Sequence, residues 1–145
     1  MYWSSNNPIS SNRSILCFHE DASGVIWVGT EHGILRIQGR ETFQISKSDG
    51  LFSERIHQIL EDDNDWLWIS CPRGIYRVPR VDLNRLASGQ SQSVYSIVYG
   101  MAEGMMIPGT LGGHQSAGCR TPAGRLWFPS RQGVVVIDPK TIQEF

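Results

Sequence analysis

The chain has 145 residues, 40% of them apolar and 10% aromatic, which is enough for one domain with a core of ordinary size. Thirteen Lys and Arg against 14 Asp and Glu give a formal charge of −1 with no basic block, which excludes an electrostatic nucleic-acid surface. The longest apolar runs are as short as Val134 to Ile137, far below the ~18 residues that span a bilayer, and no basic-then-apolar leader opens the chain.

In chain order, Tyr2-Trp3 sits where the last strand of a preceding unit would lie. Ile15 to Glu20 reads as a strand, Asp21 to Gly24 as a tight Asp/Gly turn, and Ile26-Trp27-Val28 as a second strand. Gly33 turns the chain into Ile34-Leu35-Arg36-Ile37, and Thr42 to Ser46 makes a fourth strand before the link Asp49-Gly50-Leu51. The order then repeats: Ile56 to Glu61, the turn Asp62 to Asp65, Leu67-Trp68-Ile69, Gly74, Ile75-Tyr76-Arg77-Val78. An insertion at about 79–92 follows, in which Val81 to Ala87 fits one or two helical turns, and then Ser93 to Tyr99 and the link Glu103-Gly104-Met105. A third pass gives a weaker strand at Ser116 to Arg120, Gly124, Leu126-Trp127-Phe128, Gly133 and Val134 to Ile137.

Each Trp of the set Trp27, Trp68 and Trp127 is followed six residues later by a Gly, at Gly33, Gly74 and Gly133, and the Trp anchors are 41 and 59 residues apart. Four short strands per repeat of about 40 residues, with Trp and Gly at fixed places, is the pattern of a propeller blade. The expected fold is all-β: a single partial β-propeller domain over 1–145 with about three four-stranded antiparallel blades, the repeats at about 9–47, 49–99 and 108–139.

The three Trp are read as core wedges, buried at equivalent places between neighbouring blades, in preference to stacking platforms for a ligand. The three Gly are read as turn residues that need positive φ. Cys17, Cys71 and Cys119 are odd in number and widely spaced, so no disulfide framework or metal site is expected and each is read as a small buried hydrophobe.

Polar residues that differ between equivalent hairpins are better candidates for function. Thr30-Glu31-His32, Cys71-Pro72-Arg73 and Ser130-Arg131-Gln132 follow the Trp strands and should share one rim. His32, Arg73, Arg131 and Gln132 then form a polar, partly cationic mouth suited to hydroxyls or carboxylates, with a solvated rim as the plainer alternative. His114, between Gly112-Gly113 and Gln115, is a further ligand-binding candidate, since backbone can approach a ligand closely there. The four His show no metal-ligand spacing and no nucleophile motif occurs, so no metal, no cofactor and no catalytic residue are expected.

Glu20-Asp21-Ala22-Ser23-Gly24-Val25-Ile26-Trp27-Val28-Gly29-Thr30 with Gly33-Ile34, and Ile59-Leu60-Glu61-Asp62 with Trp68-Ile69-Ser70, resemble the two-component regulator propeller repeat. The second repeat departs at Ser70-Cys71, and the third at Arg120-Thr121 and Pro129-Ser130. The stretch from Tyr99 to Gly118, with Gly124 to Pro129 and Val136-Ile137-Asp138-Pro139, is similar to the last blades of such sensors. The resemblance implies an extracytoplasmic, periplasmic ligand-sensing region of a bacterial two-component protein, not an enzyme, whose ligand is a small polar molecule, carbohydrate-related in many such sensors, or a protein partner. It supplies no binding residue, because ligand contacts are not part of the repeat. Two alternatives stand beside it: a propeller lyase resembling the streptogramin-cleaving enzymes, which needs a rim cluster of His and acidic groups, and a non-catalytic interaction scaffold. Closed propellers use ~4–8 blades, so a chain with three is expected to self-associate, two copies head to tail closing a ring of six.

Overall fold

The computed structural model describes residues 14–99, 110–113 and 116–142. They form three antiparallel sheets, the blades of a β-propeller. Blade one runs β1 (Ile15–Glu20), β2 (Ile26–Thr30), β3 (Gly33–Gln38) and β4 (Glu41–Ile45) in that spatial order. Blade two repeats it with β5 (Gln58–Glu61), β6 (Trp66–Cys71), β7 (Gly74–Pro79) and β8 (Ile97–Tyr99). Between β7 and β8 the insertion forms helix α1 (Arg80–Ala87), which buries Leu83 and Leu86. Blade three has β9 (Cys119–Arg120), β10 (Leu126–Ser130) and β11 (Gly133–Ile137). It has three strands among the described residues where four were expected, because after β11 the chain enters a short 3-10 turn at Pro139–Thr141, capped by Asp138. Tyr2-Trp3 and His114 lie outside the described residues.

Alternation along each strand sends one set of side chains back to the preceding blade and the other forward to the next. Trp27, Ile34 and Cys17 of blade one meet Ile59, Ile69 and Tyr76 of blade two in one core, closed over by Leu83 and Leu86 of α1. Trp68, Ile75 and Leu60 of blade two meet Phe128, Val135 and Leu126 of blade three in a second.

Trp27 and Trp68 are both 0% exposed, as expected, but Trp127 is 39% exposed. The cross-strand register explains what the first two have and the third lacks. Trp27 pairs with Arg36, Trp68 with Arg77 and Trp127 with Val136. The Arg36 guanidinium lies 5.7 Å from the centre of the Trp27 ring and that of Arg77 5.3 Å from Trp68. The indole N–H groups of Trp27 and Trp68 donate to Asp21 Oδ2 and Asp62 Oδ2 at 2.9 and 2.7 Å, and the corresponding residue of blade three is Thr121. Trp127 therefore has neither the carboxylate nor the cation, and its forward face has no blade against it among the described residues. Cys119, on that face beside Trp127, is exposed rather than buried for the same reason.

Candidate functional site

The Trp-strand hairpins carry the same local bonds. Thr30 Oγ1 donates to the Gly33 carbonyl and accepts from the His32 N–H, both at 2.9 Å; Ser130 Oγ does the same with Gly133 and Gln132 at 3.0 and 3.3 Å. Gly33, Gly74 and Gly133 have φ of +108°, +136° and +136°, the left-handed conformation expected of them. The links between blades cross this same end of the sheets. Gly33 N–H donates to the Glu54 carbonyl, Ile56 N–H to that of Thr30, and Leu111 N–H to that of Pro129.

His32, Arg73, Arg131 and Gln132 are all exposed on these hairpins, yet no hydrogen bond or ion pair joins any two of them among the described residues. The Arg73 guanidinium stacks 4.5 Å over the Phe52 ring. The polar link on this rim is instead the Arg55 to Glu31 ion pair at 2.9 Å.

A concave feature lies inward of the hairpins. The first strands of the blades converge, β1 on β5 and β5 on β9. At the rim end of β1 and β5, where Ile15 pairs with Thr30 and Gln58 with Ser70, a cavity of about 560 Å³ opens, lined by Ile15, Leu16, Cys17, Phe18, Gln58, Gly113, Ser116, Ala117 and Gly118. None of the four rim candidates lines it. Among the described residues that line it are one aromatic residue, Phe18 at 67% exposure, aliphatic residues, Gln58 with its amide and Ser116 with its hydroxyl, and none of these is charged. Packing fixes Gln58: a Cβ on Gly118 would lie 3.1 Å from its Cγ. The Cys17 thiol in the wall is no nucleophile, because burial pushes its pKa up to about 11 against hydrogen bonds from Gly29 and Ile59.

Attention to the hairpins missed this cavity because its walls come from first strands, whose inward side chains look like ordinary strand residues in the sequence. Phe18 within β1 and Gln58 at the start of β5 were the available signal. Among the described residues no group of three or more His, Cys, Asp or Glu converges as a metal site would require.

The polar cluster with the densest charge is at the opposite end, between blades one and two. Arg80 at the start of α1 lies 3.2 Å from Asp21, 2.9 Å from Glu61 and 3.1 Å from Asp65, while His19 meets Glu61 at 2.7 Å. The Arg80 side chain is 15% exposed and that of Asp21 0%, so this is an internal clamp and not a ligand mouth.

The family model of the two-component regulator propeller matches twice, over residues 8–32 and 50–73, ranges that hold Asp21 with Trp27 and Asp62 with Trp68. Two segments of the chain are thus similar to the two-component regulator propeller repeat. The third unit, without the Asp, lies outside the matched ranges. A search of curated proteins found no match. Among solved structures, the extracellular domain of a protein described as a hybrid two component system from B. thetaiotaomicron superposes with a TM-score of 0.67 at 19% identity over 87% of this chain. The chain spans 16% of that chain's length. At this identity the likeness speaks for the fold, and it joins the regulator propeller repeats to a propeller architecture. No helix among the described residues is long and apolar enough to cross a membrane.

Proposed function

We propose that this chain is a ligand-sensing β-propeller segment of a bacterial two-component signalling sensor, placed outside the cytoplasm and without a reaction of its own. The observation that carries the reading is the conjunction of the regulator propeller repeats with a cavity, its described lining residues uncharged, where the first strands converge. A site with an aromatic face, an amide and a hydroxyl suits a small neutral molecule with a ring face and hydroxyl edges, such as a carbohydrate-related one. The described lining residues offer no counter-charge for ion-pair recognition.

The test is a panel of neutral mono- and disaccharides with acidic sugars as controls, screened by thermal shift and followed by calorimetry. A neutral member should raise Tm, Phe18→Ala and Gln58→Ala should each weaken it about tenfold, and Arg73→Ala and Arg131→Ala should leave it unchanged. Binding that survives Phe18→Ala but is lost with the two Arg variants would move the site to the hairpin rim. A panel with no binder overturns the carbohydrate reading.

A further inference from the structure

Beside the cavity where the first strands converge stands an ion pair that the repeat does not supply. Glu31 Oε1 and Arg55 Nη1 meet at 2.9 Å. The place of Glu31, four residues after the Trp, is taken by Pro72 in blade two and by Arg131 in blade three, so the pair is peculiar to the first hairpin. Backbone bonds hold both partners next to the cavity wall. The Glu31 N–H donates to the carbonyl of Ser14 at 3.3 Å, the residue before the wall residue Ile15. The link that carries Arg55 is stitched to the same hairpin on both sides, since the Ile56 N–H donates to the Thr30 carbonyl and the Gly33 N–H to the Glu54 carbonyl.

Gly113 brings a second wall residue to the pair. A Cβ there would lie 3.8 Å from Arg55 Nη2, and with φ of +82° any side chain at this place is strained. Gly112 before it has no room for one either, because its Cβ would run into the His57 ring. Bare backbone is therefore all that the wall presents to Nη2 at this point. Among the described residues Nη2 has no acceptor and Glu31 Oε2 no donor. The Arg55 and Glu31 side chains are 42% and 37% exposed, so a ligand can reach these free edges.

We propose that the Arg55–Glu31 pair is the specificity-determining element of this cavity: a neutral sugar lying against Phe18 sets two neighbouring hydroxyls on it, one accepting from Arg55 Nη2 and the other donating to Glu31 Oε2. This rests on the carbohydrate reading above and names the part of the ligand that is recognised. A guanidinium only donates and a carboxylate only accepts, so side by side they match a vicinal diol, whose two hydroxyls can each do either. Glu31 already compensates the charge of Arg55, so the pair binds hydroxyls without requiring an acid in the ligand. The volume of about 560 Å³ falls within the roughly 300–1,000 Å³ of small-molecule sites.

The experiment is calorimetry on the whole chain with maltose, cellobiose, lactose and the methyl glycosides of glucose, galactose and mannose, followed by the monodeoxy analogues of the sugar that binds. Loss of either of two adjacent hydroxyls should weaken binding to the wild type about tenfold. Arg55→Met and Glu31→Gln should each weaken the parent sugar by a similar factor, and the analogue without the hydroxyl that Arg55 holds should lose nothing further in Arg55→Met. A pair that only pinned the link to the hairpin would weaken parent and analogues alike, and that result overturns the proposal. Glu31→Gln should also improve binding of the matching uronic acid, because Arg55 then lacks its counter-charge. Both side chains are exposed, so circular dichroism should show the fold unchanged. Phe18→Ala separates this assignment from the reading beneath it. A sugar lost with Phe18→Ala but bound equally by Arg55→Met and wild type leaves the cavity reading standing and overturns this one, whereas a panel in which nothing binds overturns both.

Discussion

The Asp21 carboxylate accepts from the Trp27 indole N–H at 2.9 Å and at the same time meets Arg80 of the next blade at 3.2 Å, so one side chain ties a turn, a core wedge and a blade interface together. It also accepts from the Ser23 and Val25 N–H groups. Its replacement by Ala leaves a buried indole N–H and two turn N–H groups without their acceptor and Arg80 without one counter-ion. Asp21→Ala should cost about 3–5 kcal/mol and Asp62→Ala about 2–4 kcal/mol. Thr121→Ala, whose hydroxyl meets only the exposed Arg125 backbone, should stay within ~0.5 kcal/mol. Urea unfolding of the three variants ranks them.

The same carboxylate sets an acid limb. Burial would raise Asp21, but the Trp27 indole, the Val25 and Ser23 N–H groups and Arg80 outweigh it and hold the group below its ordinary 3.8. The unfolded chain then takes up the proton first as pH falls, so the contribution is complete above that ordinary value and is lost on descent through the lower folded one. The urea midpoint should fall below about pH 4, and Asp21→Asn should flatten that part of the profile while lowering the plateau. An acid limb unchanged by Asp21→Asn would place it on other carboxylates.

The three Trp should not be equivalent. Trp27→Ala and Trp68→Ala open cavities in cores that contact both neighbouring sheets and should cost about 3–5 kcal/mol each. Trp127→Ala removes a side chain that is 39% exposed and should cost about 1–2 kcal/mol in the monomer. Equal costs at all three would mean that blade three's forward face is covered in solution even without association.

What could be read from the sequence was what is decided locally. The Trp and Gly positions follow from strand alternation and hairpin geometry, and both are visible at fixed spacing. The exposure of Trp127 was not visible in that spacing, because burial of a forward-facing side chain depends on the next blade. A signal for it did exist: nine residues after each Trp stands Arg36, Arg77 or Val136, and six before stands Asp21, Asp62 or Thr121. Reading Asp21 only as a turn residue hid its bonds to Trp27 and Arg80, and Arg80 reaches it only because the insertion folds as α1. The cavity was hidden for a similar reason, since Phe18 and Gln58 come from strands of different blades that meet only at the axis.

The turn glycines differ in how tightly they are enclosed. A Cβ on Gly33 would lie 2.2 Å from the Ile45 carbonyl oxygen of β4, whereas one on Gly133 meets nothing within 4 Å. Both have positive φ, so Ala is strained at either. Gly133→Ala should cost about 1 kcal/mol from backbone strain alone, while Gly33→Ala must also displace β4 and should cost about 3 kcal/mol or more. Thermal unfolding of the two variants checks the order; Gly133→Ala as costly as Gly33→Ala would mean that the third hairpin is enclosed as tightly as the first.

The cysteines give a chemical readout of which blades are closed. Cys17 and Cys71 are buried between blades one and two, and burial raises both thiols, Cys17 to about 11 and Cys71 in the same direction against hydrogen bonds from the Arg73 N–H and Ser53. Cys119 is exposed on β9. Alkylation needs an accessible thiolate. In the native chain at pH 8, iodoacetamide should therefore modify Cys119 first, and Cys17 and Cys71 only through openings of the shared core, at a rate that urea accelerates. Peptide mass spectrometry over time separates the three sites. If Cys71 were labelled as fast as Cys119, the interface between blades one and two would be open in solution.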